Sequence, residues 1–250
     1  MNLDRASGVA LGVSMREALE PLASAVEVVL FPSFTLIEPV AAALAGSPLA
    51  VGGQDCAAEA SGAFTGQVSC GMLKEAGASW CVIGHSERRH GLGESDEMVG
   101  EKVLRALASG MNIVLCVGET KHEREIGHAH QVNARQLRAA LVGVSEAQMD
   151  RIVIAYEPVW AIGTGLSASA QDAQDAHHQL RRELTSLYNA PLGDCVRIVY
   201  GGSLNPANAS TLCALPDVDG GLVGGASLKA PDFLAVCAAA AARSAAMPAH

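Results

Sequence analysis

The chain has 250 residues, half of them hydrophobic, which allows a large buried core and is the usual length of one (β/α)8 barrel. Its formal net charge of −9 argues against nucleic acid or an anionic membrane as a partner. Its apolar runs are shorter than the roughly 18–20 residues of a membrane span, and we expect no secretory signal. Seven cysteines without a CxxC pair indicate reduced, mostly buried thiols, so we expect a cytoplasmic protein.

Along the chain, short apolar runs alternate with longer helical stretches, which is typical of an α/β protein with a parallel sheet and crossover helices. Residues 3–24 favour a helix, although Gly8 and Gly12 weaken it and leave a short strand at residues 8–13 as the alternative. Seven strands are then predicted, at Val26–Phe31, Leu49–Gln54, Trp80–Gly84, Asn112–Gly118, Ile152–Tyr156, Arg197–Tyr200 and Gly221–Val223. No linker divides the chain, so residues 1–250 are predicted to form a single domain.

The most informative segment is the strand at residues 152–156 with the loop that follows it. Glu157 stands at the carboxyl end of this strand, and Pro158 begins a loop punctuated by glycine. In a β/α barrel, catalytic side chains lie at the carboxyl ends of the strands, and mobile loops beyond them close over the substrate. Glu157 is therefore a candidate catalytic base, whereas an isolated acid at a strand end is more often a solvated side chain.

Other strand ends carry candidates of the same kind. His85 follows the strand at residues 80–84, where a helix starting next to it would direct backbone N–H groups at the ring and keep it neutral. A structural hydrogen bond is the alternative for this histidine. Ser203, Gly224 and Gly225 follow the last two predicted strands, where backbone N–H groups can bind a phosphate that glycine allows to approach closely. Ordinary tight turns are the alternative for these residues.

Seven motifs in a fixed order extend these observations to nearly the whole chain. They are VVLFPSFTLI (28–37), GAFTGQVS (62–69), VIGHSERR (82–89), CVGE (116–119), AYEPVWAIGTG (155–165), IVYGGS (198–203) and GLVGGASLK (221–229). Together they resemble the triosephosphate isomerase family. The resemblance implies a TIM (β/α)8-type barrel and an isomerase of glycolysis and gluconeogenesis that needs neither cofactor nor metal. Its small-molecule substrates would be dihydroxyacetone phosphate and D-glyceraldehyde 3-phosphate, interconverted by proton transfer through an enediolate.

The resemblance also assigns roles to individual residues. Glu157 corresponds to the family's base and His85 to its electrophile, so these roles are carried over from the family. The residues that correspond to the phosphate donors are Gly163, Ser203, Gly224 and Gly225. Tyr200 is expected to form a hydrogen bond with the loop after Glu157 when that loop is closed. Glu87 is expected to support catalysis at the substrate hydroxyl, with a salt bridge to a neighbouring arginine as the alternative.

The beginning of the chain departs from the family pattern. The family's first strand ends in Asn-Trp-Lys-Met-Asn, whose lysine is catalytic, whereas this chain opens Met1-Asn2. We therefore expect a barrel of seven recognisable strands with the first strand missing, an open seam, and residues 3–24 mobile or displaced. We also expect very weak isomerase activity from the polypeptide as printed, since a positioned charge would be lacking. A non-catalytic barrel that binds a sugar phosphate is the alternative.

The loop Gly62–Gln67 corresponds to the family's dimer loop, which inserts Thr65 beside the partner's active site. The receiving pocket is partly built from the loop after the first strand, which this chain lacks. Gln67 also replaces a glutamate that usually pairs with an arginine across the interface. Both departures weaken the homodimer predicted by the resemblance, and a monomer or a looser association is the alternative.

Overall fold

A computed structural model describes residues 1–162 and 168–246 of the chain. Within these residues the strands are β1 Val29–Leu30, β2 Ala50–Gly53, β3 Trp80–Ile83, β4 Asn112–Val117, β5 Ile152–Tyr156 and β6 Ile198–Tyr200. The α-helices are α1 Arg5–Leu19, α2 Ile37–Ala43, α3 Cys70–Glu75, α4 Ser86–Gly91, α5 Asp96–Ala108, α6 Lys121–Glu125, α7 Ala129–Ala140, α8 Ala170–Leu187, α9 Ala190–Cys195, α10 Ala209–Cys213 and α11 Ala230–Ala246. Each strand pairs in parallel with the next one in the sequence, from β1 to β6.

The local sequence explains why these elements form where they do. The central strands are apolar, β-branched runs, and every residue of β5 is buried. Hydroxyl side chains begin the helices between them: Ser95 caps α5 by accepting the N–H of Met98, and Ser169 forms a capping box with Asp172 at α8. The predicted strand–helix alternation is confirmed, and the sheet curls into a half-barrel with helices outside it.

The two edges of the sheet are shorter than the sequence predicts. The strand predicted at Gly221–Val223 shrinks to a single parallel bridge between Gly221 and Tyr200, and the strand predicted at Val26–Phe31 shrinks to two residues. Among the described residues no ladder joins these two edges, so the predicted open seam is confirmed. Each edge has a neighbour on one side only and gains about half the hydrogen bonds of a central strand, which explains why both are short.

The first helix confirms the interpretation of residues 3–24 as helical. Its start is fixed by a capping box in which Asp4 accepts the N–H of Ser7 at 2.8 Å. The helix packs against α2 and α11, and its Met15 and Leu19 are buried in the core. The prediction that this segment is displaced is therefore wrong for α1, because burial of these apolar side chains holds it in the outer helical layer.

The core has two parts, one between the sheet and the helices and one inside the curve of the sheet. The inner part is a cluster of buried side chains: Trp80, Val82, Val114, Cys116, Val153 and Ala155. Toward the open seam the inward-facing residues are only half-buried, namely Val29, Phe31, Val199 and Leu222. Among the described residues one ion pair crosses this opening, with the Glu27 carboxylate 2.5 Å from the Arg197 guanidinium. The two edges of the sheet are therefore not joined by strand pairing, but an ion pair connects the residues just before β1 and β6.

Candidate active site

Glu157 lies directly after β5 and is held there by the main chain of β4. Its N–H donates to the Val117 carbonyl at 2.8 Å, and its side chain is only 2% exposed. Gly118 makes this position possible, because a methyl group on Gly118 would lie 1.7 Å from the Glu157 carbonyl oxygen. A carboxylate is thus buried at the carboxyl end of the sheet.

The structure brings the two principal candidates into direct contact. The His85 Nε2 atom lies 3.0 Å from Oε1 of Glu157. The other carboxylate oxygen, Oε2, accepts the N–H of Ser86 at 2.8 Å, and the Ser86 hydroxyl lies 3.5 Å from Oε1. In this state every oxygen of the Glu157 carboxylate therefore has a hydrogen-bond donor.

The surroundings of His85 assign the position of its ring proton. His85 caps α4, and its Nδ1 accepts the N–H of Glu87 at 3.2 Å, so the proton of the neutral ring lies on Nε2 and points at Glu157. Burial lowers the pKa of His85, but the hydrogen bond and charge of Glu157 outweigh it and raise the pKa overall. The start of α4 favours a neutral ring, while Glu157 opposes that preference for as long as the two side chains touch.

Two residues of this site carry no prediction from the sequence. Ser86 donates to the Glu157 carboxylate, and the fully buried thiol of Cys116 lies close enough for the charge of Glu157 to act on it. Burial and the charge of Glu157 raise the pKa of the Cys116 thiol well above its ordinary value, so it remains a neutral thiol. The only sequence signal for either residue is its place at a strand end, in the motifs that contain His85 and Glu119.

A second buried carboxylate anchors the beginning of the loop after Glu157. Glu119 is fully buried and accepts hydrogen bonds from the Trp160 indole N–H at 2.8 Å and from the Tyr156 hydroxyl at 3.0 Å. Its other oxygen accepts from Asn133 at 3.1 Å. Residues 159–161 form a short 3-10 turn there, and Gly163, the loop residue predicted to bind phosphate, lies outside the described residues.

The remaining predicted phosphate ligands lie on two adjacent loops. Ser203 follows β6, and Gly224 precedes a 3-10 turn that begins at Gly225. The bridge between Tyr200 and Gly221 holds the two loops side by side. All three predicted ligands are exposed, and added methyl groups on Gly224 and Gly225 would meet no atom within 4 Å. Open space therefore adjoins the two glycines.

The family model for triosephosphate isomerase matches residues 1–240 of the chain. The chain belongs to the triosephosphate isomerase family. The triosephosphate isomerase of Chlorobium luteolum is 48% identical over 236 residues, which cover 94% of this chain and 94% of that protein. The triosephosphate isomerases of Afipia carboxidovorans and Roseiflexus castenholzii are 50% and 49% identical, covering 86% and 84% of this chain and 84% and 83% of their own lengths. The predicted TIM-type fold and triosephosphate isomerase function are thereby confirmed.

The structure also describes the surroundings of the two residues predicted to support catalysis, Glu87 and Tyr200. The exposed side chain of Glu87 forms no salt bridge among the described residues, since Arg88 pairs with Asp55 and Glu94 and Arg89 pairs with Asp96. The alternative of a salt bridge to either neighbouring arginine is therefore wrong.

The hydroxyl of Tyr200 is buried and makes no hydrogen bond within the described part of the chain. Burial raises the pKa of Tyr200 to about 12, and the nearby main chain of Ala168 opposes this effect. Ala168 is the first described residue after the loop segment 163–167. Tyr200 therefore offers an unused donor near Ala168.

An exposed loop and the lengths of the helices are relevant to possible protein and membrane partners. Every residue from Ser61 to Gln67 is exposed, including the aromatic ring of Phe64. The ends of this loop are closed by a hydrogen bond from the Ala57 N–H to the Val68 carbonyl at 2.8 Å. No helix in the described part of the chain is both long and apolar enough to cross a membrane.

Proposed function

We propose that the chain interconverts dihydroxyacetone phosphate and D-glyceraldehyde 3-phosphate with Glu157 as base and His85 as hydrogen-bond donor to the reacting oxygens. The observation that supports this most directly is the 3.0 Å contact between a buried carboxylate and Nε2 of His85. A base and a neutral donor must lie within hydrogen-bond reach of the same small molecule for such a proton transfer. Family membership supports the same assignment.

In the state described, the base is occupied and must be released before it can act. Its carboxylate accepts the Ser86 N–H and the His85 ring proton. A substrate carbonyl would replace Glu157 as acceptor of the His85 proton, and an enediolate oxygen, being negatively charged, would accept it more strongly. Glu157, freed from these donors and covered by an apolar loop, becomes a stronger base because the low-dielectric surroundings disfavour its charged form.

The loop after Glu157 would supply that cover. Trp160 anchors its first turn to the buried carboxylate of Glu119, while Val159 and Ile162 supply apolar surface. The unpartnered Tyr200 hydroxyl is placed to bond the loop when it closes. Closure excludes water, which would otherwise weaken the electrostatic interactions and allow the intermediate to lose phosphate.

The substrate phosphate would be bound by backbone N–H groups of Ser203, Gly224 and Gly225, together with Gly163 of the loop. Support comes from the open space beside the two glycines and from the 3-10 turn that starts at Gly225. The first N–H groups of such a turn have no partner within the turn and attract anions. Because the chain is acidic overall, binding depends on these local donors rather than on the field of the whole protein.

A non-catalytic sugar-phosphate-binding barrel is the second candidate, and one observation favours it for the polypeptide as printed. Among the described residues, no lysine or arginine forms an ion pair or hydrogen bond with Glu157 or His85. The nearby Arg88 and Lys102 are both bound to Asp55 and Glu94. We therefore expect low turnover, since a missing positioned charge typically lowers it by about 10²–10³-fold.

We also propose a homodimer and a cytoplasmic location. The exposed loop Gly62–Gln67, with the Phe64 ring facing solvent, is the surface that would enter a partner subunit. All seven cysteines are free and all but Cys195 are buried, which suits a reducing compartment. Sedimentation of the purified chain measures the first proposal, and monomers at micromolar concentration would exclude a stable dimer.

Replacing Glu157 by Gln tests the catalytic assignment. We expect turnover to fall about 10²–10⁴-fold, because the amide cannot accept the substrate proton. Binding of 2-phosphoglycolate, measured by calorimetry, should persist. Glu17→Gln on the exposed face of α1 is the matched control and should change neither quantity.

Deuterium incorporation from D2O into the substrate carbon, followed by NMR, detects proton abstraction even when net turnover is low. Exchange that is the same in Glu157→Gln and in the unsubstituted chain would exclude Glu157 as the base. Tight 2-phosphoglycolate binding without any exchange in the unsubstituted chain would favour the non-catalytic barrel.

A further inference from the structure

Arg89 is a buried cation that the mechanism above does not use. Its side chain is 5% exposed, and all three guanidinium nitrogens are hydrogen-bonded. The Nε atom donates to the Gly84 carbonyl at 2.8 Å, Nη2 donates to the Cys116 carbonyl at 3.1 Å, and Nη1 donates to the Asp96 carboxylate at 2.8 Å. A buried arginine whose donors reach two main-chain carbonyls therefore joins two separate strands.

Both carbonyls belong to residues next to the candidate catalytic pair. Gly84 immediately precedes His85 at the end of β3. Cys116 lies in β4, and the carbonyl of the next residue, Val117, accepts the N–H of Glu157 at 2.8 Å. One planar guanidinium thus links the peptide that precedes the histidine to the strand that holds the glutamate.

The backbone at Gly84 depends on this arrangement. Its φ of +74° lies in the left-handed region that side chains disfavour, and it turns the chain from β3 into His85. A methyl group on Gly84 would lie 2.9 Å from Nη2 of Arg89 and 3.2 Å from the Cys116 carbonyl oxygen. The turn is therefore packed directly against the guanidinium, and movement of either one displaces the other.

Within the part of the chain that the structure describes, the charge of Arg89 has a single carboxylate partner. Asp96 binds it at 2.8 Å and also contacts Arg135, an exposed residue that shares the carboxylate from the solvent side. Burial lowers the pKa of Arg89, and the charges of Asp96 and Glu157 oppose that effect. Arg89 therefore also contributes positive charge near the catalytic carboxylate without touching it.

We propose that Arg89 is a positioning residue that sets the distance between His85 and Glu157 by fixing the ends of β3 and β4. This inference rests on the proposed function, in which those two side chains perform the proton transfer. A lysine cannot replace Arg89, because a single ammonium nitrogen does not reproduce a planar fork that reaches two carbonyls and a carboxylate. Small errors in such a geometry are costly, since a displacement of about 1 Å can lower turnover about 10²-fold.

The test compares Arg89→Lys with Arg135→Lys. Both variants keep the charge and both arginines contact Asp96, but only Arg89 reaches the strand carbonyls. For Arg89→Lys we expect kcat to fall about 10–10²-fold while KM changes little, because alignment and not substrate binding is lost. Arg135→Lys should leave both constants unchanged.

A second readout separates positioning from a merely structural role. The ring nitrogens of His85 are titrated by NMR in the unliganded protein. Contact with Glu157 raises the pKa of His85, so the midpoint should fall in Arg89→Lys when that contact loosens, and should stay unchanged in Arg135→Lys. If Arg89→Lys does not fold, Asp96→Asn, which frees one end of the guanidinium, should lower the midpoint by a smaller amount.

The two readouts also distinguish this inference from the proposed function. The titration needs no turnover, so it tests positioning even if the unsubstituted chain shows no proton exchange and the catalytic proposal fails. A variant of Arg89 that melts at a lower temperature but keeps the His85 midpoint, and kcat where it is measurable, would overturn the positioning role.

Discussion

The centre of the sheet and its two edges differ in how fully they are paired. β4 and β5 are matched at five positions and β3 and β4 at four, whereas β1 and β2 are matched at two. At the other edge a single bridge joins Tyr200 to Gly221. Side chains inside the curve are buried beside the central strands and half-buried beside the edges.

The two functions of the proposed site, proton transfer and phosphate binding, therefore lie on parts of the sheet that differ in their number of hydrogen bonds. Glu157 and His85 follow β5 and β3, so the proton-transfer pair is seated on fully bonded strands. The proposed phosphate ligands Ser203, Gly224 and Gly225 follow the poorly paired edge. The chemistry is therefore preorganised by the centre, while anion binding depends on a region held by few hydrogen bonds.

Adding a neighbour to the two open edges should have the largest effect. A polypeptide extended before Met1 by a strand that ends in the family's Asn-Trp-Lys should turn over about 10²–10³-fold faster, because the lysine adds a positioned charge. A coupled assay measures the change. The matched control ends in Asn-Trp-Met, which should slow amide exchange at Val29 and Leu30 without raising turnover. Equal rates for the two extensions would show that a cation at this position does not limit the reaction.

The second largest effect is expected from acid, which should lower the free energy of unfolding through His177, between β5 and β6. His177 is fully buried between Tyr156 of β5 and Tyr200 of β6, and burial lowers its pKa to about 4. Between about pH 6.5 and pH 4 the unfolded chain binds a proton that the folded chain does not. The contribution of neutral His177 to the free energy of unfolding is therefore fully present above pH 6.5. About 3 kcal/mol of it is lost as the pH falls to 4.

Urea unfolding at a series of pH values checks this expectation. His177→Gln should flatten the decline between pH 6.5 and pH 4, because it removes the group that takes up the proton. His178→Gln is the control, since the neighbouring ring is exposed and pairs with Asp217. If both variants decline as steeply as the unsubstituted chain, acid acts elsewhere.

Removing the Tyr200 hydroxyl should affect ligand binding but not the stability of the unliganded protein. Tyr200→Phe deletes a buried hydroxyl that has no partner among the described residues, so the free energy of unfolding of the unliganded protein should stay constant or rise by about 1 kcal/mol. Binding of 2-phosphoglycolate should weaken by about five- to tenfold if that hydroxyl bonds the closed loop. The Tyr188→Phe control removes a hydroxyl that donates to Val144 at 3.0 Å, far from the loop. Unchanged affinity in Tyr200→Phe would contradict its role in closure.

The smallest effect is expected at the ion pair that spans the opening. Glu27 and Arg197 are each nearly half exposed, so Glu27→Gln should lower the free energy of unfolding by only about 0.2–1 kcal/mol. The loss should disappear in 1 M salt, where exposed charges are screened. A loss that is larger and independent of salt would mean that this contact closes the half-barrel more firmly than its exposure indicates.

The sequence alone predicted the features that depend on local pattern. Alternating apolar and helical periods indicated the order of strands and helices, and Glu157 and His85 were identifiable because they lie one and two residues after the ends of β5 and β3. The helix over residues 5–19 followed from local preference, despite its two interior glycines. These features could be predicted because periodicity and capping act over a few neighbouring residues.

Only the tertiary structure decided which groups meet around the carboxylate and how far the sheet extends. Ser86 binds the Glu157 carboxylate from a position 71 residues earlier in the chain. Arg89 joins two strands through main-chain carbonyls that no sequence pattern marks. The edges at Val29–Leu30 and Gly221 are short because strand length depends on a neighbour and not on propensity alone. Contacts between distant segments arise from packing of the whole chain, which local preference does not encode.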